Sequence, residues 1–250
     1  MRPVLPAEVP PEEFELARLR AWLDQGTHFL TSQVARLGDD DISRPSRLPG
    51  WTIGYLLTHL ARNADALGNL VRWAATGIET PMYPGGPEQR LADLDKGALR
   101  PPAEILRDVR ESATRLSASL DALPDGAWNR VVRTVQGRQI PAAQIPWLRI
   151  REIWIHAMDL GTGGRFNEIP QDLAVSLLED VLATLATRPG CPPLTIRAES
   201  GAILAIPSTG HGDPTEAKGT VPELLGWLTG RTDGAGLDFS PEQPALPAWL

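Results

Sequence analysis

Cysteine is nearly absent from this chain, which has one, Cys191, among 250 residues. A single cysteine excludes an intramolecular disulfide and a metal site built from several thiolates. Cys191 lies in "RPGCPP", where no histidine or lysine stands beside it to lower the pKa of its thiol. The chain therefore offers a poor thiol nucleophile, and thiol chemistry would need a small-molecule thiol.

Long apolar runs and an excess of positive charge are also missing. No stretch approaches the roughly 18 apolar residues of a membrane span, and the first residues lack a signal-peptide pattern. The net charge of −7 offers no broad basic surface for nucleic acid or anionic lipid. We expect a soluble, cytoplasmic protein of one large or two modest domains, with neither nucleic acid nor membrane as a partner.

Apolar residues recur at helical spacing in four segments of the first part of the chain. These segments are residues 11–37, 52–76, 101–121 and 144–160, and Thr52 is placed to cap the second. Four amphipathic helices within about 160 residues predict a four-helix bundle, which buries such apolar stripes.

Two connections within this part have distinct compositions. Residues 77–100 are long and rich in proline and glycine, which favours a functional flap over a tight turn. Before the fourth helix, "GAWNRVVRTVQGRQIPAAQIP" is compatible with a short extended pair.

The pattern changes from about residue 166. "PQDLAVSLLEDVLATLATRPG" and "VPELLGWLTGR" predict helices, whereas "PLTIRAES" and "AILAIPS" predict short strands. We therefore predict an α+β fold with a four-helix bundle domain in residues 1–165 and a smaller α+β domain in residues 166–250.

On the polar side of the fourth predicted helix, two residues are spaced as metal ligands often are. Glu152 and His156 stand one helical turn apart and share that side with Arg149 and Asp159. One interpretation is an ordinary ion pair on a solvated face. The other is a metal site to which His59, at the inward edge of the second helix, adds a third ligand. Two histidines, one glutamate and an open fourth position form a catalytic zinc set.

Other polar residues fit these interpretations less directly. His28 lies within a helix as a core or surface residue, and His211 lies in "STGHGDP", a turn expected at the surface. Asp159 could orient the imidazole of His156 or stand in solvent near the helix end. Pocket residues without a catalytic role are predicted at Asn63 and Arg149.

Five stretches resemble the mycothiol-dependent maleylpyruvate isomerases and span nearly the whole chain. They are "GWTIGYLLTHLARNADAL", "WAATGIETPMY", "QGRQIPAAQIPWLRIREIWIHAMDLG", "LTGRTDG" and "LPAWL". The resemblance implies a DinB-like helical bundle that carries the metal, followed by a small domain similar to sterol-carrier folds. It implies zinc ligands at His59, Glu152 and His156 and a functional arginine at Arg231. The ordinary alternative for Arg231 is a cation that stabilises a helix C-terminus.

The resemblance also implies a reaction, the cis-to-trans isomerisation of maleylpyruvate to fumarylpyruvate. Reversible addition of mycothiol would lower the order of the double bond and allow rotation, while zinc would stabilise the thiolate or polarise the substrate carbonyl. Arg231 would bind a substrate carboxylate. We expect a monomer whose cofactors are zinc and mycothiol and whose partners are small molecules.

Three other functions stay open on these residues. A mycothiol S-transferase would use the same zinc site and consume the thiol. A non-catalytic zinc or lipid-binding module would have a closed metal site or a continuous apolar cavity. A metal-dependent hydrolase would need a general base beside the water, which no His-Glu-x-x-His motif supplies here.

Overall fold

A computed structural model describes residues 2–3, 13–199, 201, 203–206 and 214–249. These residues form two compact units. One is helical and ends at Gly164, and the other contains the residues from Arg165 onward together with strand β1 (Arg2–Pro3). His211, predicted in a surface turn, lies outside the described residues.

The helical unit contains four long helices and a shorter one. They are α1 (Glu13–Val34), α2 (Ile53–Thr76), α3 (Gly86–Ala98), α4 (Pro102–Asp121) and α5 (Ile145–Asp159). Helix α2 lies against α3, α4 and α5, and α5 also lies against α1. The four helices that the apolar spacing predicts are therefore present. No helix among the described residues is long and apolar enough to cross a membrane.

Helix α2 is the central element of this bundle. Its side chains Leu56, Leu57 and Leu60 have no exposed surface. Thr52 caps the helix as predicted, because its hydroxyl accepts a hydrogen bond from the backbone N–H of Tyr55 at 3.1 Å. A capped and buried helix is a rigid platform for the polar side chains on its inner face.

The connection at residues 77–100 contains a helix that its composition does not predict. Pro87 lies in the first turn of α3, where a missing N–H breaks no helical hydrogen bond. Only Leu94 and Gly97 of this helix are buried, too few for a recognisable apolar stripe. Gly97 allows close packing, since a Cβ there would lie 2.4 Å from Cγ2 of Thr58 on α2. The segment is thus an ordered element against α2.

A short hairpin joins α4 to α5. Strands β2 (Val131–Arg133) and β3 (Gln139–Pro141) pair antiparallel, in the stretch for which an extended pair was compatible with the sequence. Val132 and Ile140 are partners across this pair, and both are buried. The hairpin thereby extends the apolar core of the bundle, and β2 lies against α2.

The other unit combines a five-stranded sheet with two helices. Its further elements are α6 (Gln171–Leu185), β4 (Leu194–Ala198), β5 (Ile203–Ile206), β6 (Thr215–Gly219), α7 (Val221–Leu228) and β7 (Asp238–Ser240). The strand order is β1-β5-β4-β6-β7, with β4 antiparallel to β5 and parallel to β6. The predicted α+β class is confirmed. The functional division at residues 165 and 166 stays a prediction.

Strands β6 and β7 lack a clear sequence signal. Their sequences, "TEAKG" and "DFS", do not show the alternation of β-branched or aromatic residues that marks a strand. Pairing with neighbouring strands stabilises β6 despite its low strand propensity. Ala217 of β6 is fully buried between its partners Ile196 of β4 and Phe239 of β7.

Candidate metal centre

Helices α2 and α5 bring together the three predicted metal ligands. One nitrogen each of His59 and His156 and one oxygen of Glu152 all lie within 4.8 Å of one another. Nε2 of His59 is 2.9 Å from Oε2 of Glu152, and Nε2 of His156 is 3.5 Å from the same oxygen. Atoms that share a tetrahedral zinc ion lie about 3.4 Å apart. The spacing therefore fits a single ion of this kind.

Burial distinguishes this cluster from a solvated ion pair. His59 and His156 are each 7% exposed, and 22% of the Glu152 side chain is exposed. On the same side of α5, Arg149 is 2% exposed and Asp159 has no exposed surface. The interpretation of this side as a solvated face is therefore wrong, because α2 covers it.

Asp159 holds the imidazole of His156. Oδ2 of Asp159 lies 2.8 Å from Nδ1 of the histidine. An ionised carboxylate can only accept a hydrogen bond, so Nδ1 carries a proton, and Nε2 is the nitrogen that the neutral imidazole offers to a metal. Because Asp159 is fully buried, it is not a solvated residue near the helix end. Carboxylates commonly orient metal-binding histidines in this manner.

The pKa values of the cluster reflect burial and mutual contact. Burial lowers the pKa of His59, and the neighbouring Glu152 opposes this shift without overcoming it. Burial alone would raise the pKa of Glu152, but contacts with the two histidines hold it well below its ordinary value. Burial would also lower the pKa of His156, which Asp159 and Glu152 instead raise. The carboxylate is thus ionised at neutral pH, as a metal ligand must be.

Aromatic residues and an arginine outside the predicted set lie near His59. The ring of Trp51 is 5.3 Å from the imidazole, and the ring of Tyr55 is 4.7 Å from that of Trp51. On α3, the guanidinium of Arg90 lies 5.3 Å from the ring centre of Tyr83, and its charge adds to the effect of burial in lowering the pKa of His59. Trp51 could have been identified from the sequence, because it lies directly before the cap of α2. Nothing in the sequence indicated Arg90, because its position depends on the unpredicted helix α3.

The remaining candidates have ordinary local contacts. Nη1 of Arg231 donates to the carbonyl of Thr229 at 2.6 Å, and its guanidinium lies 5.9 Å from the ring centre of Trp249. The half-buried thiol of Cys191 has a pKa raised by burial, which disfavours the reactive thiolate. His28 is exposed on α1. None of these contacts by itself assigns a catalytic role.

Fold and cluster together define an α+β protein in which a helical bundle carries a largely buried His-Glu-His set. The family model of the mycothiol maleylpyruvate isomerase N-terminal domain matches residues 23–161, which is more than half of the chain and contains all three cluster residues. The chain therefore belongs to the mycothiol maleylpyruvate isomerase family, which confirms the family that its motifs resemble.

Solved structures and curated relatives give two levels of similarity. A crystal structure of the mycothiol-dependent maleylpyruvate isomerase is 30% identical, with a TM-score of 0.88 over 100% of both chains. The structure of a histidine-to-alanine mutant is 29% identical, with the same score and coverage. Uncharacterised proteins from two strains of Mycobacterium tuberculosis are 30% identical over 156 residues, which are 58% of this chain and 54% of theirs. The match thus spans about half the length of these curated relatives.

Proposed function

We propose that this chain is a zinc- and mycothiol-dependent isomerase that converts maleylpyruvate to fumarylpyruvate in the degradation of aromatic compounds. One observation carries the proposal. Three ligand atoms from α2 and α5 converge within 4.8 Å, in a fold similar to that of the solved isomerase over the full length of both chains. The similarity supplies the substrate class, and the convergent donor set supplies a chemical basis for it.

The donor set fits zinc because it combines two imidazole nitrogens with one carboxylate oxygen. His59, Glu152 and His156 would hold the ion, and three protein ligands leave one tetrahedral position for another group. A zinc ion held by these three residues would favour the thiolate form of mycothiol. Reversible addition of this thiolate to the double bond would permit rotation.

The residues of the chain have separate roles in this proposal. Glu152 provides an ionised ligand, and Asp159 keeps the proton of His156 on Nδ1, away from the ligand atom. The ring of Trp51 packs edge-on beside the imidazole of His59. Arg231 is assigned to a substrate carboxylate, because a guanidinium can donate two parallel hydrogen bonds to its oxygens.

An assay that follows both substrate and thiol tests the proposal. Zinc-loaded protein is mixed with maleylpyruvate, with and without mycothiol, and the ultraviolet spectrum and total free thiol are recorded together. We expect conversion to fumarylpyruvate that requires mycothiol and leaves its concentration unchanged.

The other outcomes of this assay point to other functions. Loss of thiol in proportion to substrate would identify a mycothiol S-transferase. No reaction under either condition would favour a binding module. The cytoplasmic location and the monomeric state stay predictions, which this assay does not test.

A further inference from the structure

A buried arginine joins the two helices that carry the cluster. Arg149 lies on α5 one turn before Glu152 and is 2% exposed. Its Nη1 donates to the backbone carbonyl of Leu60 and to Oδ1 of Asn63, each at 2.8 Å. Both acceptors are on α2, and they lie one and four residues after His59. The guanidinium therefore holds the turn of α2 that presents this histidine.

Burial of Arg149 costs free energy, so the stability of the bundle does not by itself explain this arrangement. A buried cation costs free energy unless charges or hydrogen bonds compensate for its loss of hydration. Within the described part of the chain, no ion pair joins Arg149 to a carboxylate, and its buried Nη2 has no hydrogen-bond partner. The charges of Glu152 and Asp65 offset only part of the effect of burial on its pKa. Burial lowers its pKa to about 10, so the group is still protonated at neutral pH. An apolar side chain would fill the same space without this cost.

The metal centre requires that α2 and α5 be aligned with each other. His59 comes from α2, whereas Glu152 and His156 come from α5, so the distance of 2.9 Å between His59 and Glu152 depends on how the two helices are aligned. A zinc site tolerates ligand displacements of only about 0.2 Å. Nη1 of Arg149 donates to two acceptors one turn apart on the opposite helix, and these two bonds restrict the sliding of that helix.

We propose that Arg149 is a positioning residue for the metal centre, which aligns α2 with α5 through Leu60 and Asn63 so that His59 meets Glu152 and His156. The inference rests on the proposed metal centre and adds the residue that assembles it. Arg149 acts through the ligands and does not touch the metal.

Charge and position have opposite effects on zinc affinity, which makes the proposal testable. A nearby positive charge repels a divalent cation, so removal of the charge alone would strengthen zinc binding. Arg149→Lys keeps the charge and removes the planar fork. Asn63→Leu removes the acceptor, keeps the number and branching of the side-chain heavy atoms, and leaves the charge unchanged. Any loss of affinity in these two variants is therefore caused by lost positioning.

The experiment is a competition titration of the metal-free proteins with zinc and a chromophoric chelator at neutral pH. We expect each variant to bind zinc about 10- to 100-fold more weakly than the wild type, the range typical of residues that orient metal ligands. The zinc affinity of the double variant should be close to that of whichever single variant binds zinc more weakly, because both changes remove the same contact. The visible spectrum of the cobalt-substituted variants should also change, since it reports ligand geometry.

Arg130→Lys is the matched control. Nη1 of Arg130 also donates to carbonyls of α2, those of Ala74 and Ala75, at 2.7 and 2.9 Å. These carbonyls lie about 22 to 24 Å along the helix from His59 at a rise of about 1.5 Å per residue. The control should keep the zinc affinity of the wild type, although it loses a comparable contact.

Three results would overturn the inference. They are wild-type zinc affinity in Arg149→Lys and Asn63→Leu, an equal loss in Arg130→Lys, and fully additive losses in the double variant. If Arg149→Lys does not fold, as judged by circular dichroism, Asn63→Leu decides, because it leaves the cation in place. A wild-type protein that binds no zinc would remove the proposed metal centre itself and the inference with it.

Discussion

At the residue scale, the proton position on His156 depends on Asp159. The change Asp159→Asn keeps the size of the side chain but removes the charged acceptor at 2.8 Å from Nδ1. We expect zinc affinity to fall about 10- to 100-fold, because the imidazole loses its fixed orientation and tautomer. Chelator competition measures this effect, and Asp24→Asn, at an exposed position of α1, is the control. Unchanged affinity in Asp159→Asn would show that the hydrogen bond does not support the metal centre.

Arg231 is the second residue whose role can be tested by a change that conserves charge. We expect Arg231→Lys to lower kcat/KM for maleylpyruvate at least tenfold, or about 1.4 kcal/mol in transition-state stabilisation, because lysine lacks the planar fork. Steady-state kinetics with mycothiol in excess gives the value. Arg197→Lys, on β4 in an ion pair with Glu216, should behave as the wild type. Full catalytic efficiency in Arg231→Lys would exclude bidentate carboxylate binding.

Local geometry explains which site residues could be predicted. The pairing of Glu152 with His156 follows from helical periodicity alone. The third predicted ligand, His59, needed the position of its helix face and the family motifs, because no local rule joins residues so far apart. The sequence left open whether Asp159 orients His156 or contacts solvent, and it indicated Arg149 only as a pocket residue, since charged residues on one helix face usually contact solvent.

At the scale of elements, the contact between α3 and α2 depends on a glycine. We expect Gly97→Ala to lower the free energy of unfolding by about 1–3 kcal/mol, because its Cβ would lie 2.4 Å from Cγ2 of Thr58. Thr58 is fully buried and β-branched, so its side chain has little freedom to move away. Urea denaturation measures the change.

Gly68→Ala is the control for this prediction. A Cβ at Gly68 on α2 would meet nothing within 4 Å, and alanine should there raise the stability by about 0.5–1 kcal/mol. Equal effects of the two changes would contradict the close packing of α3 on α2.

The start of α7 gives a prediction that depends on pH. Oε2 of Glu223 accepts hydrogen bonds from Oγ1 and N of Thr220, at 2.7 and 3.1 Å, and these bonds lower its pKa from the ordinary 4.5. The ionised carboxylate therefore stabilises the folded state above pH 4.5, and this contribution is lost as the pH falls through the lowered pKa of the folded state.

The change Glu223→Gln isolates this contribution. We expect the wild type to be the more stable protein at pH 6 and its advantage to shrink as the pH falls below 4.5. Urea denaturation of both proteins across this range measures the difference. An advantage that does not vary with pH would contradict the assignment.

Elements differ in how far the sequence predicts them. The long bundle helices bury continuous stripes, so their periodicity is clear. Helix α3 buries only two residues, and β6 and β7 are short and polar, so each is stabilised by contacts with other elements rather than by its own pattern.

At the scale of the whole molecule, the change of pattern along the sequence predicts the observed α+β class, whereas the division at residues 165 and 166 stays a prediction. Strand β1 could not be predicted, because Arg2–Pro3 is only two residues long and pairs with β5 from the far end of the sequence. The similarity to a solved isomerase extends over the full length of both chains. The proposed function depends on the metal centre of the helical unit, which is therefore the central claim.

Equilibrium zinc binding by the metal-free protein tests that claim most directly. We expect one zinc ion per chain for the wild type, and an affinity more than about 100-fold weaker for His59→Ala, since loss of a ligand should exceed the effect of losing an orienting partner. No zinc in the wild type, or equal affinity in His59→Ala, would contradict a metal centre formed by His59, Glu152 and His156.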